Sequence, residues 1–194
     1  TQLHEVKVSS FEIDVSSERD VLSMVEKVHK IYGKISILVN NAAIIGPIGE
    51  VSDIDGNKFL ETLNINVGGT FFCTKAVVKY MKNQNQGNII NLSGGGGLSS
   101  FPFYDAYSAS KSAIVRLTEN FAIELEKYNI KVCAISPGAV NTQMFYDQLR
   151  QDKLSLGVKN WENLQNQLAN GGESADKAAD LALFLATQKD NKFN

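Results

Sequence analysis

Short apolar runs alternate with longer stretches in which apolar residues return every three or four positions. The runs predict buried strands and the stretches predict amphipathic helices. Val6, Val8, Phe11 and Ile13 alternate with polar neighbours, which predicts a strand over 8–13. Ser16 or Ser17 can cap a helix that carries Val21, Met24, Val25, Val28 and Ile31 on one face and stops at Gly33. The apolar stretch 35–39 predicts a second strand, covered on both faces as in a parallel sheet. After a loop with Gly46, Pro47 and Gly49, a long helix is expected from about Gly56 to Met81, interrupted at Asn66-Val67-Gly68-Gly69. Adjacent glycines inside a helix cost about 1 kcal/mol each relative to alanine, so packing or function must require them.

The next run, 88–93, predicts a central strand that leads into four consecutive glycines, Gly94 to Gly97. Ala109, Ala113, Leu117, Phe121 and Leu125 then mark a helix from Ala106 to about Tyr128. A strand at 131–136 follows. Residues 143–172 read as polar and irregular, and Ser174 caps a last helix over 175–187. Strands that alternate with helices of crossover length imply an α/β fold with a doubly wound parallel sheet. Ligands of such sheets sit at the carboxyl ends of the strands, where this chain places Asp14, Asn40, Asn41, Ser93 and Thr142.

Composition narrows the function. The 194 residues are 43% hydrophobic and 21% charged, with a net charge of −2. That balance suits one globular domain and argues against nucleic-acid and anionic-membrane surfaces. No apolar stretch approaches the roughly 20 residues that span a bilayer. Cys73 and Cys133 lie in apolar runs, as core residues of a cytoplasmic protein do. These two cysteines and His4 and His29 are too scattered in sequence to suggest a metal site.

The candidate chemistry lies in Tyr107 and Lys111, one helical turn apart on the same face. A phenol titrates near ~10, and a nearby ammonium favours its phenolate. Such a tyrosine can exchange a proton with an alcohol or carbonyl oxygen. A half-buried tyrosine beside a surface lysine would look the same in sequence.

Taken in order, Asp14-Val15, Asn40-Asn41-Ala42, Asn66, the strand ending at Ser93, Tyr107-x-x-x-Lys111 and Pro137-Gly138 with Thr142 strongly resemble the short-chain dehydrogenase/reductase family. The resemblance runs from Asp14 to the last helix. It implies a single Rossmann-like domain over 1–194, with 143–172 as a substrate lid. It also implies NAD or NADP as cofactor, a small alcohol or carbonyl substrate, and a homodimer or homotetramer. Tyr107 would be the general acid/base, and Lys111 would lower its pKa and bind the nicotinamide ribose. Asn66 would hold a water that relays protons through Lys111. Asp14 and Val15 would border the adenine, and Asn41 and Ala42 would line the cofactor path. Pro137, Gly138, Val140 and Thr142 would enclose the nicotinamide.

The chain departs from the family's pattern in three places. The family's catalytic serine usually lies thirteen residues before the tyrosine, and that position is Gly94. Ser93 is a candidate catalytic residue only if the glycines twist it round, because side chains alternate along a strand. Otherwise backbone amides of the glycine run would replace the missing donor. Ala43 stands where the family prefers glycine. The glycine-rich strand–turn–helix that cradles the pyrophosphate is missing, as are the strands beside 8–13 and the final strand. The chain therefore reads as a fragment, incomplete at both ends of the sheet. The residue that separates NAD from NADP falls outside it. The alternative functions are a non-catalytic relative that binds a nucleotide or partner, and a structural subunit. The loop at 98–105, with Leu98, Phe101, Phe103 and Tyr104, suggests a partly apolar pocket, and Met144, Phe145, Tyr146 and Trp161 are candidate lid contacts.

Overall fold

The computed structural model describes residues 6–187. Among these residues, three parallel strands form one sheet in the order β1–β2–β3, with β1 at Ile37–Asn40, β2 at Gly87–Leu92 and β3 at Ile130–Ile135. Leu38 lies opposite Ile89, and Ile89 opposite Val132. β2 is central and nearly all buried.

One face of the sheet carries α1 (Glu18–Tyr32), α3 (Gly69–Gln84) and α4 (Asp105–Leu125). Val21, Val25, Ala76, Val77 and Met81 meet Ile89, Ile130 and Val132 there. The other face carries α8 (Ala175–Thr187), whose Ala182, Leu185 and Ala186 pack on Ile90, Leu92 and Ile135. A third cluster lies beyond the strand ends, where Phe145, Leu156 and Leu164 close over Tyr104.

The local signals explain the boundaries. The Ser17 hydroxyl accepts from the Asp20 N–H at the start of α1, and Gly33 ends that helix in the left-handed region. Asp55 caps α2 (Gly56–Leu63) by accepting from the Asn57 and Lys58 N–H groups. Between α2 and α3, residues Asn64–Gly68 form a turn of π-helix, where the sequence places its interruption. A Cβ at Gly69 would sit 2.9 Å from Val15 Cγ2, so glycine lets the 14–16 turn lie against the helix. The Ser174 hydroxyl accepts from the Asp176 N–H at the start of α8.

Several expectations are corrected. Residues 8–13 form no strand; Val8 is 82% exposed, and no described strand lies beside the segment to complete a ladder. β1 is not covered on both faces. It is an edge strand among the described residues, with Ile37 and Val39 nearly half exposed. The stretch 143–172 is not irregular but holds α5 (Gln143–Leu149), α6 (Lys153–Leu156) and α7 (Val158–Asn170). Phe145, Leu149, Leu156, Trp161 and Leu164 join the third cluster rather than the sheet, while Leu154, Val158 and Leu168 stay exposed. The buried face of α4 differs in part: Leu125 is buried and Phe121 packs on the core as expected, but Ala109 is exposed, while Ala106, Ser110, Lys111, Ile114 and Thr118 turn inward. Cys73 is buried and Cys133 half-buried, and burial pushes both thiols up from their ordinary range.

The energetic centre is therefore β2 and its helical cover. Ile89→Ala should cost about 2–5 kcal/mol in urea denaturation. Ile37→Ala, on the exposed face of β1, should cost about 1 kcal/mol or less.

Candidate active site

β2, β3 and the first turn of α4 converge on a cavity of about 820 Å³. That volume lies within the roughly 300–1,000 Å³ typical of small-molecule sites. The sheet side is lined by Val39, Leu92 and Ile135, and the far side by Phe101, Tyr104 and Phe145.

Tyr107 is half-buried in the wall of this cavity. A Cβ at Gly94 would sit 3.2 Å from its Oη, so the phenol faces the Gly94 position at the end of β2. Lys111 is 3% exposed, and its Nζ donates to the Leu92 carbonyl at 2.8 Å. Its Nζ lies 5.4 Å from the centroid of the Tyr107 ring. Burial lowers Lys111 to about 8 and raises Tyr107 above its ordinary value. The expected lowering of the phenol does not arise here, because desolvation of the ring outweighs an ammonium held by a carbonyl.

Asn66 is fully buried in the π turn. Its Oδ1 accepts from the Ile44 N–H at 2.8 Å, and its Nδ2 donates to the Ile44 carbonyl at 2.9 Å and to Ser110 Oγ at 2.9 Å. Ser110 Oγ in turn donates to the Tyr107 carbonyl at 2.7 Å. The Asn66 carbonyl accepts from Thr70 Oγ1. The amide thus fixes both the loop after β1 and the first turn of α4.

Ser93 is placed differently. The backbone does turn at Gly94, with φ +114°, yet Ser93 is buried and its hydroxyl donates to the Ile135 carbonyl at 3.3 Å. The Cβ direction that faces Tyr107 belongs to Gly94.

Asn41 and the residues Pro137, Gly138, Val140 and Thr142 line the same cavity. Their loop is tied down by the Glu173 N–H, which donates to the Ala139 carbonyl, and by Gln167 Nε2, which donates to that carbonyl and to Asn141 Oδ1. Ala42 is exposed next to Asn41. Asp14 and Val15 lie away from this wall, at the start of α1. Asp14 Oδ1 accepts from the Ser16 hydroxyl and N–H, which hold its carboxyl below the usual range.

The cavity also contains residues that the sequence did not single out. Gln148, Asn163 and Gln167 reach it from α5 and α7, and Ala175, Ala178, Ala179 and Ala182 line it from α8. The alanine spacing was a visible helical signal. Of the expected lid contacts, Met144 and Phe145 line the cavity, Tyr146 is 43% exposed, and Trp161 packs in the third cluster.

A model of the family described as short chain dehydrogenase matches residues 1–153. The chain belongs to the short-chain dehydrogenase family. It is 31% identical over 185 residues to a 3-oxoacyl-(acyl-carrier-protein) reductase of Thermotoga maritima, covering 94% of this chain and 71% of that protein. Among solved structures, NAD+-bound xylitol dehydrogenase matches with a TM-score of 0.80 at 33% identity, covering 90% of this chain and 71% of that one. ElxO with NADP bound matches with a TM-score of 0.78 at 28% identity, covering 96% and 73%. The chain spans about half to seven tenths of the length of the curated relatives it matches. The Rossmann-like parallel sheet seen here is the fold of these short-chain dehydrogenases.

Lys111 generates a pH prediction. Its folded pKa of about 8 lies below the ordinary lysine value of 10.5, so between these values the unfolded chain binds more protons. Burial of Lys111 therefore destabilises the fold below about pH 8, and this penalty is relieved as pH rises. Thermal melts should show the unsubstituted chain gaining stability relative to Lys111→Met between pH 8 and pH 10.

Proposed function

We propose that this chain carries the catalytic part of an NAD(P)-dependent oxidoreductase acting on a small alcohol or carbonyl compound. One observation carries the reading: Tyr107 Oη faces the Gly94 position at the sheet end of the cavity, with Lys111 anchored one turn behind it. Asn41, Pro137, Gly138, Val140 and Thr142 border the same space at the carboxyl ends of β1 and β3, where a nicotinamide ring fits. Ala42 continues that border, and Asp14 with Val15 would receive the adenine end. Bound there, NAD or NADP supplies or accepts the hydride.

In the reductive direction Tyr107 donates its proton to the substrate oxygen as the carbonyl carbon becomes an alcohol carbon. A phenol raised by burial holds that proton until the acceptor becomes basic. Lys111 supports the resulting phenolate, and Asn66 holds the turn that aims Tyr107. Ser93 contributes through the β2–β3 junction rather than through the substrate oxygen. The helices α5 to α7 form the substrate-side cover.

A second reading is favoured by Gly94. A relative with no hydroxyl at this position could bind nucleotide or partner without turnover. Assembly into a homodimer or homotetramer through α2, α3 and α4 is supported by the exposed Leu60, Phe71 and Ile123 on those helices.

The test has two parts. Titration with NADH and NADPH should quench or shift nicotinamide fluorescence saturably. Tyr107→Phe should keep that binding while lowering turnover by roughly a hundredfold or more. Full activity in Tyr107→Phe would remove the assigned role. Binding without turnover in the unsubstituted chain would select the second reading.

A further inference from the structure

Among the described residues Tyr104 is the largest fully buried side chain, with 0% exposure, and it lines the cavity. Among the described residues, its buried hydroxyl has no hydrogen-bond partner. A buried hydroxyl left unpaired is destabilising, and native interiors rarely keep one.

The surrounding structure is also strained. Phe103, immediately before it, has φ +70°, a conformation that bulky residues seldom adopt. The Phe103 carbonyl is held by the Gly49 N–H at 3.0 Å. This turn lays the Tyr104 ring flat on Phe101, with centroids 4.1 Å apart and planes 1° apart. A site that tolerates both strain and an orphan donor is a candidate for ligand recognition. Phenylalanine would fill the same space without the orphan.

We propose that Tyr104 is a substrate-contacting hydrogen-bond donor, and that the substrate carries a second oxygen acceptor on the substituent lying beneath α5 to α7. This rests on the oxidoreductase reading above. The two phenols serve different parts of the ligand. Tyr107 Oη faces Gly94 at the sheet end, whereas Tyr104 packs with Phe145, Leu156 and Leu164 of the helical cover. Burial pushes the Tyr104 phenol up to about 12, so it remains a donor and not a base at working pH. The walls around it are aromatic and aliphatic, so the substituent is an apolar body with one oxygen rather than a fully hydroxylated chain. Hydroxyketones, diketones and the matching diols have this chemistry. A site built to satisfy such an oxygen rejects analogues that lack it.

The experiment compares the full chain with Tyr104→Phe in two measurements. The first is the melting temperature without ligand. The proposal expects Tyr104→Phe to melt at the same temperature or higher, because it deletes an unpaired donor. A clear fall would mean that the hydroxyl is structurally satisfied, for instance by a buried water, and would overturn the proposal. The second is NAD(P)H oxidation with 1-phenyl-1,2-propanedione and with propiophenone, which lacks the second oxygen. The unsubstituted chain should prefer the diketone at least tenfold in kcat/KM, and Tyr104→Phe should bring that ratio close to one. Equal handling of the two probes by the unsubstituted chain, turnover of neither included, would overturn the substrate class. If NADH and NADPH also fail to bind, the oxidoreductase reading itself falls, which separates the two failures.

Discussion

The Asn66 side chain is the contact on which the site depends. It is wholly buried, and its three hydrogen bonds go to both backbone groups of Ile44 and to Ser110. An unpaired buried amide would be costly, so all three bonds must form together or the turn must open. Ser110 passes the constraint to the Tyr107 carbonyl. One side chain therefore couples the loop after β1, the break between α2 and α3, and the first turn of α4. The backbone of Tyr107 is held by this hydrogen bond while its ring packs against the third cluster.

A second buried polar line runs beneath the sheet. Asn40 Nδ2 donates to Asn91 Oδ1 at 2.8 Å, and Asn91 Nδ2 donates to Thr118 Oγ1 at 2.8 Å. It ties β1 to β2 and β2 to α4. Such lines are specific about register, since a slip of one residue would turn each amide to the opposite face. Next to it, Lys111 gives up much of its hydration to reach the Leu92 carbonyl. The polar groups thus fix where α4 sits on the sheet, and the apolar ones supply most of the stability.

Much of this was legible in the sequence. Tyr107 and Lys111, the glycine pair in the long helix, and the strand–helix alternation all carried local signals strong enough to survive folding. The strand expected at 8–13 failed because alternation says nothing about whether a partner strand is at hand. The helices of 143–172 were hidden because their apolar positions are divided among three short segments rich in amides. The inward face of α4 was read only in part, through Phe121 and Leu125, because Ser110 and Thr118 are buried through hydrogen bonds that link distant parts of the chain. Gly94 and Ser93 show the remaining limit. Which of two neighbours faces a site depends on the backbone turn between them, and a φ of +114° is not written in residue types alone.

The π turn at Asn64–Gly68 has a consequence for how this protein can change. Because the π turn holds one residue more than a regular turn, deleting one residue there would return it to α-helix and leave Cys73, Ala76, Val77 and Met81 seated against α1 and the sheet, while removing the bulge that presents Asn66 to Ile44 and Ser110. The extra residue therefore serves the site rather than the core: without it the sheet would keep its helical cover, and the loop after β1 would lose the amide that joins it to α4.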